Sequence, residues 1–87
     1  MAAATRKEIS EWFDRGIQES AHHMIVVCDT YDYEDYPVFV KGTKTAREVV
    51  EERYNYPGEK NMQRVMEVYD LRKNKDEQLS QHRVFNF

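Results

Sequence analysis

Cysteine, glycine and proline are all scarce in this chain, and each shortage removes a class of protein. One cysteine, Cys28, in 87 residues cannot close an internal disulfide, so a small disulfide-stapled fold is excluded. Three glycines cannot build a phosphate-binding Walker loop or a dinucleotide-binding turn, and no serine-centred nucleophile elbow is present. No apolar run approaches the roughly 20 residues that span a bilayer. The first residues, Met1-Ala-Ala-Ala-Thr-Arg-Lys-Glu8, have no apolar stretch after their basic pair, so no signal peptide is expected and a cytoplasmic location is. An excess of positive charge is also missing. Thirteen basic against sixteen acidic residues give a net charge of −3, which argues against general nucleic-acid binding.

What remains is a single charge-rich domain over 1–87, with 40% hydrophobic and 33% charged residues. Chains of this size bury only about 60–65% of their unfolded surface, and many gain stability by pairing with copies of themselves. A homo-oligomer is therefore expected. Residues 1–4 and 78–87 read as tails, flexible or docked on another copy. Val84-Phe-Asn-Phe87 is too apolar to be left in water unless it docks on this chain or a neighbour.

Hydrophobic periodicity supplies the elements. Thr5-Arg-Lys-Glu8 has capping-box spacing, and Ile9, Trp12, Phe13 and Ile17 follow as a helical stripe. Gly16 in that stripe permits close approach of a neighbour. Met24 to Cys28 is continuously apolar, as for a strand buried on both faces at the centre of a sheet. Tyr36-Pro-Val-Phe-Val-Lys41 reads as a second strand, with Pro37 fit only for a strand start or an edge. Thr45-Ala-Arg-Glu48 repeats the capping box, and Ala46, Val49, Val50 and Tyr54 face inward from a second helix. Residues 62–71 suit either a helix or a strand. A strand is expected, with Val65, Tyr69 and Leu71 on one side and Arg64, Met66 and Val68 on the other, because two strands alone make an unstable sheet. Arg72 to Glu77 reads as a solvated charged run. The expected fold is α+β in the order α-β-β-α-β. Its two helices pack on one face of a three-stranded, at least partly antiparallel sheet.

Between the first two strands the chain alternates carboxylates (Asp29, Asp32, Glu34, Asp35) with tyrosines (Tyr31, Tyr33, Tyr36) in a loop of about eight residues. Tyrosine gives flat contact area with a hydrogen-bonding tip, which suits binding surfaces. The acids fail the calcium-loop pattern: counted from Asp29, the sixth residue is Glu34 and the twelfth Val40, where glycine and glutamate are required. No metal and no cofactor are expected. His22 and His23 would point to opposite faces of a strand, and His82 is remote in sequence. Cys28 reads as a buried inert thiol. Arginine recognises phosphates through its planar fork, which singles out Arg47, Arg53 and Arg64; for Arg64 an internal ion pair with Asp29 or Glu67 is expected.

The segments Trp12-Phe-Asp-Arg-Gly16, His23-Met-Ile-Val-Val-Cys-Asp29, Tyr33-Glu-Asp-Tyr-Pro-Val38 and Met62-Gln-Arg-Val-Met-Glu-Val-Tyr-Asp70 resemble a family of small phage-encoded proteins to which no activity is attached. The resemblance implies context without chemistry. By class alone it is similar to phage anti-defence sponges, oligomers that sequester cyclic or ADP-ribose-type nucleotide signals between subunits. The function expected is thus a non-enzymatic anti-defence protein of the host cytoplasm that binds a small anionic nucleotide. Trp12, Tyr31, Tyr33 and Tyr36 would stack on it, and Arg47, Arg53 and Arg64 would pair with its phosphates. The alternative is an inhibitor that presents Asp29, Asp32, Glu34 and Asp35 to a host defence protein. A small nucleotide-signal hydrolase comes third, since the sequence shows no catalytic set.

Overall fold

The computed structural model describes residues 4–81 and 83–87. Most of the expected N-terminal tail, residues 1–3, and His82 lie outside them. The element order is α1 (Arg6–Gln18), β1 (His23–Asp29), β2 (Glu34–Val40), α2 (Ala46–Tyr54), β3 (Gln63–Asp70) and α3 (Lys75–Leu79). Both capping boxes form: Thr5 and Thr45 each accept from the backbone N–H three residues on, and Glu8 and Glu48 reach back to the caps. The fold is a small α+β fold around an antiparallel sheet of order β2-β1-β3. β1 is the central strand, buried throughout except at Asp29, as its unbroken apolar run requires. Pro37 sits in the edge strand β2, where a missing N–H costs least.

The helices do not share a face, and this corrects the expected packing. Ile25 and Val27 point toward α2, where they join Val40, Val49, Val50 and Tyr54. Met24 and Val26 point the other way, toward Ile9 and Phe13 of α1. A central strand apolar at every position leaves two faces to cover, and one helix goes to each. α1 is also rotated from its expected stripe, leaving Ile17 50% exposed. Gly16 takes the inward position. A Cβ there would lie 2.6 Å from Leu71 Cδ1 and 2.9 Å from the Phe39 ring.

β3 is a strand, but its side assignment needs correction. Val26 faces Glu67 while Val27 faces Val65, so Met66 is an extra residue in a β-bulge. The bulge reverses the alternation. Val65 and Val68 both lie on the α2 face, and Tyr69 and Leu71 on the α1 face with Met66. The loop between the first strands is also shorter than expected. β1 and β2 pair as far as Asp29 and Glu34, leaving Thr30–Tyr33 as a four-residue turn.

The charged run contains α3, capped by Asn74, whose side chain accepts from Glu77 N at 2.8 Å. Gln78 in that helix is buried. It accepts from Asp70 N and donates to Asp70 O, both at 2.8 Å. Residues 83–87, expected within a flexible or oligomer-docking tail, pack on this chain's own sheet. Phe85 bridges Val68 in parallel, Val84 is fully buried, and Phe85 and Phe87 lie against Tyr56.

Candidate functional site

The residues singled out from sequence do not converge. Trp12 is half-buried against the α1-side core, whereas Tyr36 packs on the α2-side core. Burial and the neighbouring Tyr54 hydroxyl push the Tyr36 phenol up to about 12, so it serves as structure on that face. Tyr31 and Tyr33 stand 74% and 65% exposed at the hairpin tip. Arg47 and Arg53 lie on α2, the first 4.3 Å over the Phe87 ring and 3.5 Å from Glu51, the second over Tyr54. Arg64 is exposed, and among the described residues it has no ion pair, contrary to expectation. It stands opposite Cys28 at the open edge of β3, where water already solvates it. Glu67, its expected partner, instead accepts from Val84 N at 3.4 Å.

Of the acids, Asp32 and Glu34 are exposed, and Asp29 fixes the turn by accepting from Tyr31 N at 2.9 Å. Asp35 is different. It accepts from Ala4 N at 3.1 Å and lines a cavity of ≈ 230 Å³ on the α1 face of the sheet. Its neighbour Cys28 is buried, and burial followed by the Asp35 carboxylate pushes that thiol up, which keeps it protonated and inert.

This cavity is the site the sequence did not reveal. Its floor is apolar, from Ile9 of α1, Met66 of β3 and Leu79 of α3. Tyr69 forms a wall. Burial, then the adjacent Glu67 carboxylate, raises its phenol well above the ordinary value, so it remains a neutral hydroxyl. The bulge at Met66 lets Glu67 and Met66, adjacent in sequence, both reach this cavity. Arg6, at the start of α1, and Arg83, just before the docked tail, hold the rim. Arg83 adopts φ +65°, an uncommon conformation for a residue with a side chain. Among the described residues neither arginine has an ion pair, while both carboxylates here already accept hydrogen bonds.

An apolar floor, a neutral phenol, two carboxylates already engaged by backbone N–H groups and two uncommitted guanidinium groups suit a flat apolar body that carries an anion. A single sequence hides this set because its members come from a bulge, a five-residue helix and a folded-back tail. The one available signal was the pair of bulky apolar residues, Met66 and Leu79, set among charges. Among the described residues no three His, Cys, Asp or Glu side chains gather where a metal could be held, and no helix is long and apolar enough to cross a membrane. Comparison with protein-family models, with curated proteins and with solved structures finds no match for the chain.

Proposed function

We propose that this chain is a non-enzymatic binder that sequesters a small nucleotide signal in the cavity between α1, β3 and α3, in the manner of phage anti-defence sponges. The observation that carries the reading is the pair Arg6 and Arg83, without an ion pair among the described residues, at an apolar-floored recess. A base would lie over Met66 and Leu79 with its edge toward Glu67 and Tyr69, and its phosphate would take the two guanidinium forks. Hydrogen bonds to charged groups contribute about 1.5–3 kcal/mol each, and apolar area buried against Met66 and Leu79 adds about 25 cal/mol per Å². Together these support micromolar or tighter binding.

The cavity volume of ≈ 230 Å³ falls short of the range that encloses a whole drug-sized ligand, about 300–1,000 Å³. One chain would therefore cover one half of a cyclic dinucleotide or a cyclic ADP-ribose isomer, and a second copy the other half. A homo-oligomer acting in the cytoplasm of an infected host is part of the same proposal. Titration calorimetry with a panel of those nucleotides tests the reading. One of them is expected to bind, unaltered after incubation, and to lose at least tenfold in affinity in Arg6→Ala and in Arg83→Ala. A panel with no binder sinks the proposal, and turnover of the ligand would replace it with a hydrolase.

The hairpin tip supports a second reading, an inhibitor that docks on a basic host protein. Tyr31 and Tyr33 are the most exposed large hydrophobic residues among the described residues, and they are flanked by Asp32 and Glu34. Charge reversal of both acids would abolish that activity without changing nucleotide affinity.

A further inference from the structure

A second recess lies where β1 begins and β2 and β3 end. It has a volume of ≈ 260 Å³ and is lined by His22, His23, Thr43, Lys44 and Arg72, with Phe87 beside them. No Asp or Glu lines it. The turn Gly42–Thr45 delivers Thr43 and Lys44, and Gly42 at φ +71° makes that turn possible.

His23 is the informative member. It is 3% exposed, and its Nε2 has no hydrogen-bond partner. A buried polar nitrogen left unpaired costs about 1–3 kcal/mol, so its retention calls for a reason. The Nδ1 atoms of His22 and His23 meet at 2.6 Å, because His22 precedes the strand and its ring turns edge-on to that of His23. Strand alternation, which would have parted them, applies only from His23 onward. Asp70 Oδ2 lies 3.7 Å from His23 Nε2, and Asp70 itself is gripped by Arg72 Nε and Nη2 at 3.0 Å each.

These contacts assign the protons. A proton on His23 Nε2 faces the Asp70 carboxylate, so His23 Nδ1 is the acceptor of the short contact and His22 Nδ1 the donor. The one nitrogen of the pair left with a free lone pair is then His22 Nε2. The same recess is lined by Lys44, the Thr43 hydroxyl and Arg72, whose guanidinium is shared with Asp70. The Lys44–Glu52 pair at 3.0 Å is exposed on both sides and so holds Lys44 only weakly.

We propose that this recess is a phosphate site that selects an oxyanion keeping an O–H, either free hydrogen phosphate or a phosphate monoester in the monoanionic form it holds below about pH 6. The anionic oxygens take Lys44, Thr43 and Arg72, and the P–O–H donates to His22 Nε2. Sulfate, which has no proton at neutral pH, would leave that lone pair unsatisfied. The site does not depend on the nucleotide reading of the cavity.

The test is a titration of the full chain followed by NMR of the histidine ring Cε1–H signals, with phosphate and sulfate compared at equal ionic strength. Saturable shifts of the His22 and His23 rings are expected, with phosphate bound at least about tenfold more tightly than sulfate, the value of one hydrogen bond to a charged group. Lys44→Ala should weaken phosphate about tenfold, and His22→Ala should bring phosphate down to sulfate. Should His22→Ala not fold, the phosphate–sulfate ratio of the unmodified chain still decides. Adenosine monophosphate and inorganic phosphate, titrated at about pH 6, where about half of the monoester keeps its O–H, into Arg6→Ala/Arg83→Ala to silence the cavity, separate the sources. Affinity equal to that of inorganic phosphate identifies the free ion as the ligand, and tighter binding identifies the ester. Equal affinity for phosphate and sulfate, or no saturable shift of either ring, overturns the proposal.

Discussion

The two faces of the sheet are covered differently. On the α2 face the side chains of Ile25, Val27, Val50 and Val68 are fully buried, and Tyr56, Phe85 and Phe87 close the margin. On the α1 face Phe13, Met24 and Val26 are equally buried, but the layer opens into a cavity beside Met66 and Leu79. The filled face is covered by a regular helix and by the folded-back end of the chain. The open face is built by a helix brought close at Gly16, a bulge and a five-residue helix. Interiors close-pack by default, so the face that stops short of closing is the one with room for a ligand.

The largest expected effect breaks the comparison directly. Ile25→Ala should cost about 2–5 kcal/mol, since nothing around it can collapse into the space. Leu79→Ala removes an equal number of carbons but only enlarges an existing opening, and should cost about 1 kcal/mol or less. Urea unfolding of both variants measures the difference. Equal costs would mean that the two faces are packed alike and that the cavity closes in solution. Next comes Gln78→Leu, which strips the side-chain partner from the Asp70 N–H and leaves Asp70 O with Lys73 N alone, and should cost about 1–3 kcal/mol in the same assay. Gly16→Ala follows. Helix propensity favours alanine by about 1 kcal/mol, yet the overlap with Leu71 and Phe39 should leave a net loss of about 1–2 kcal/mol.

The end of the sheet around His23 adds a pH dependence on the acid side. Burial, opposed in part by Asp70, holds the His23 pKa below its ordinary value. A lowered histidine pKa means that the unfolded chain binds the proton first, so stability falls as pH drops below about 6.5. For Asp70, burial alone would raise the pKa, but the hydrogen bonds from Arg72 prevail and hold it below the ordinary value. Its contribution is present above about pH 4 and is lost as pH falls through the depressed value. The melting temperature should therefore decline in two steps on acidification. In Asp70→Asn the lower step should shrink to what the lowered Glu48 carboxyl contributes.

Legibility in the sequence divides along the same line. The capping boxes at Thr5 and Thr45, the inward set Ala46, Val49, Val50 and Tyr54, and the central place of Met24–Cys28 could all be read, because each rests on local spacing. The side assignment of β3 could not, because a single extra residue at Met66 reverses every position after it. α3 was hidden as well: five residues carry no apolar period, and its buried member, Gln78, is polar. The convergence of His22 with His23 depends on where the strand starts, which periodicity places only to within a residue or two. Regular packing was thus legible, and both recesses were not.

The smallest expected effect concerns the hairpin tip, which belongs to neither face. Tyr33 sits at φ +57°, a left-handed conformation that costs a residue with a side chain about 1–2 kcal/mol, and its ring is 65% exposed. Tyr33→Gly relieves that strain but loosens the unfolded chain, so stability should change by no more than about 0.5 kcal/mol, in the stabilising direction. Tyr31→Ser should be neutral within the same margin. Neither change should alter nucleotide affinity at the cavity. If Tyr33→Gly instead destabilises by 1 kcal/mol or more, the ring is packed in solution and the tip is structural. If stability and nucleotide affinity both hold while the protein's activity in cells is lost, the strained, solvent-facing tyrosine serves a partner, and the inhibitor reading takes precedence over sequestration.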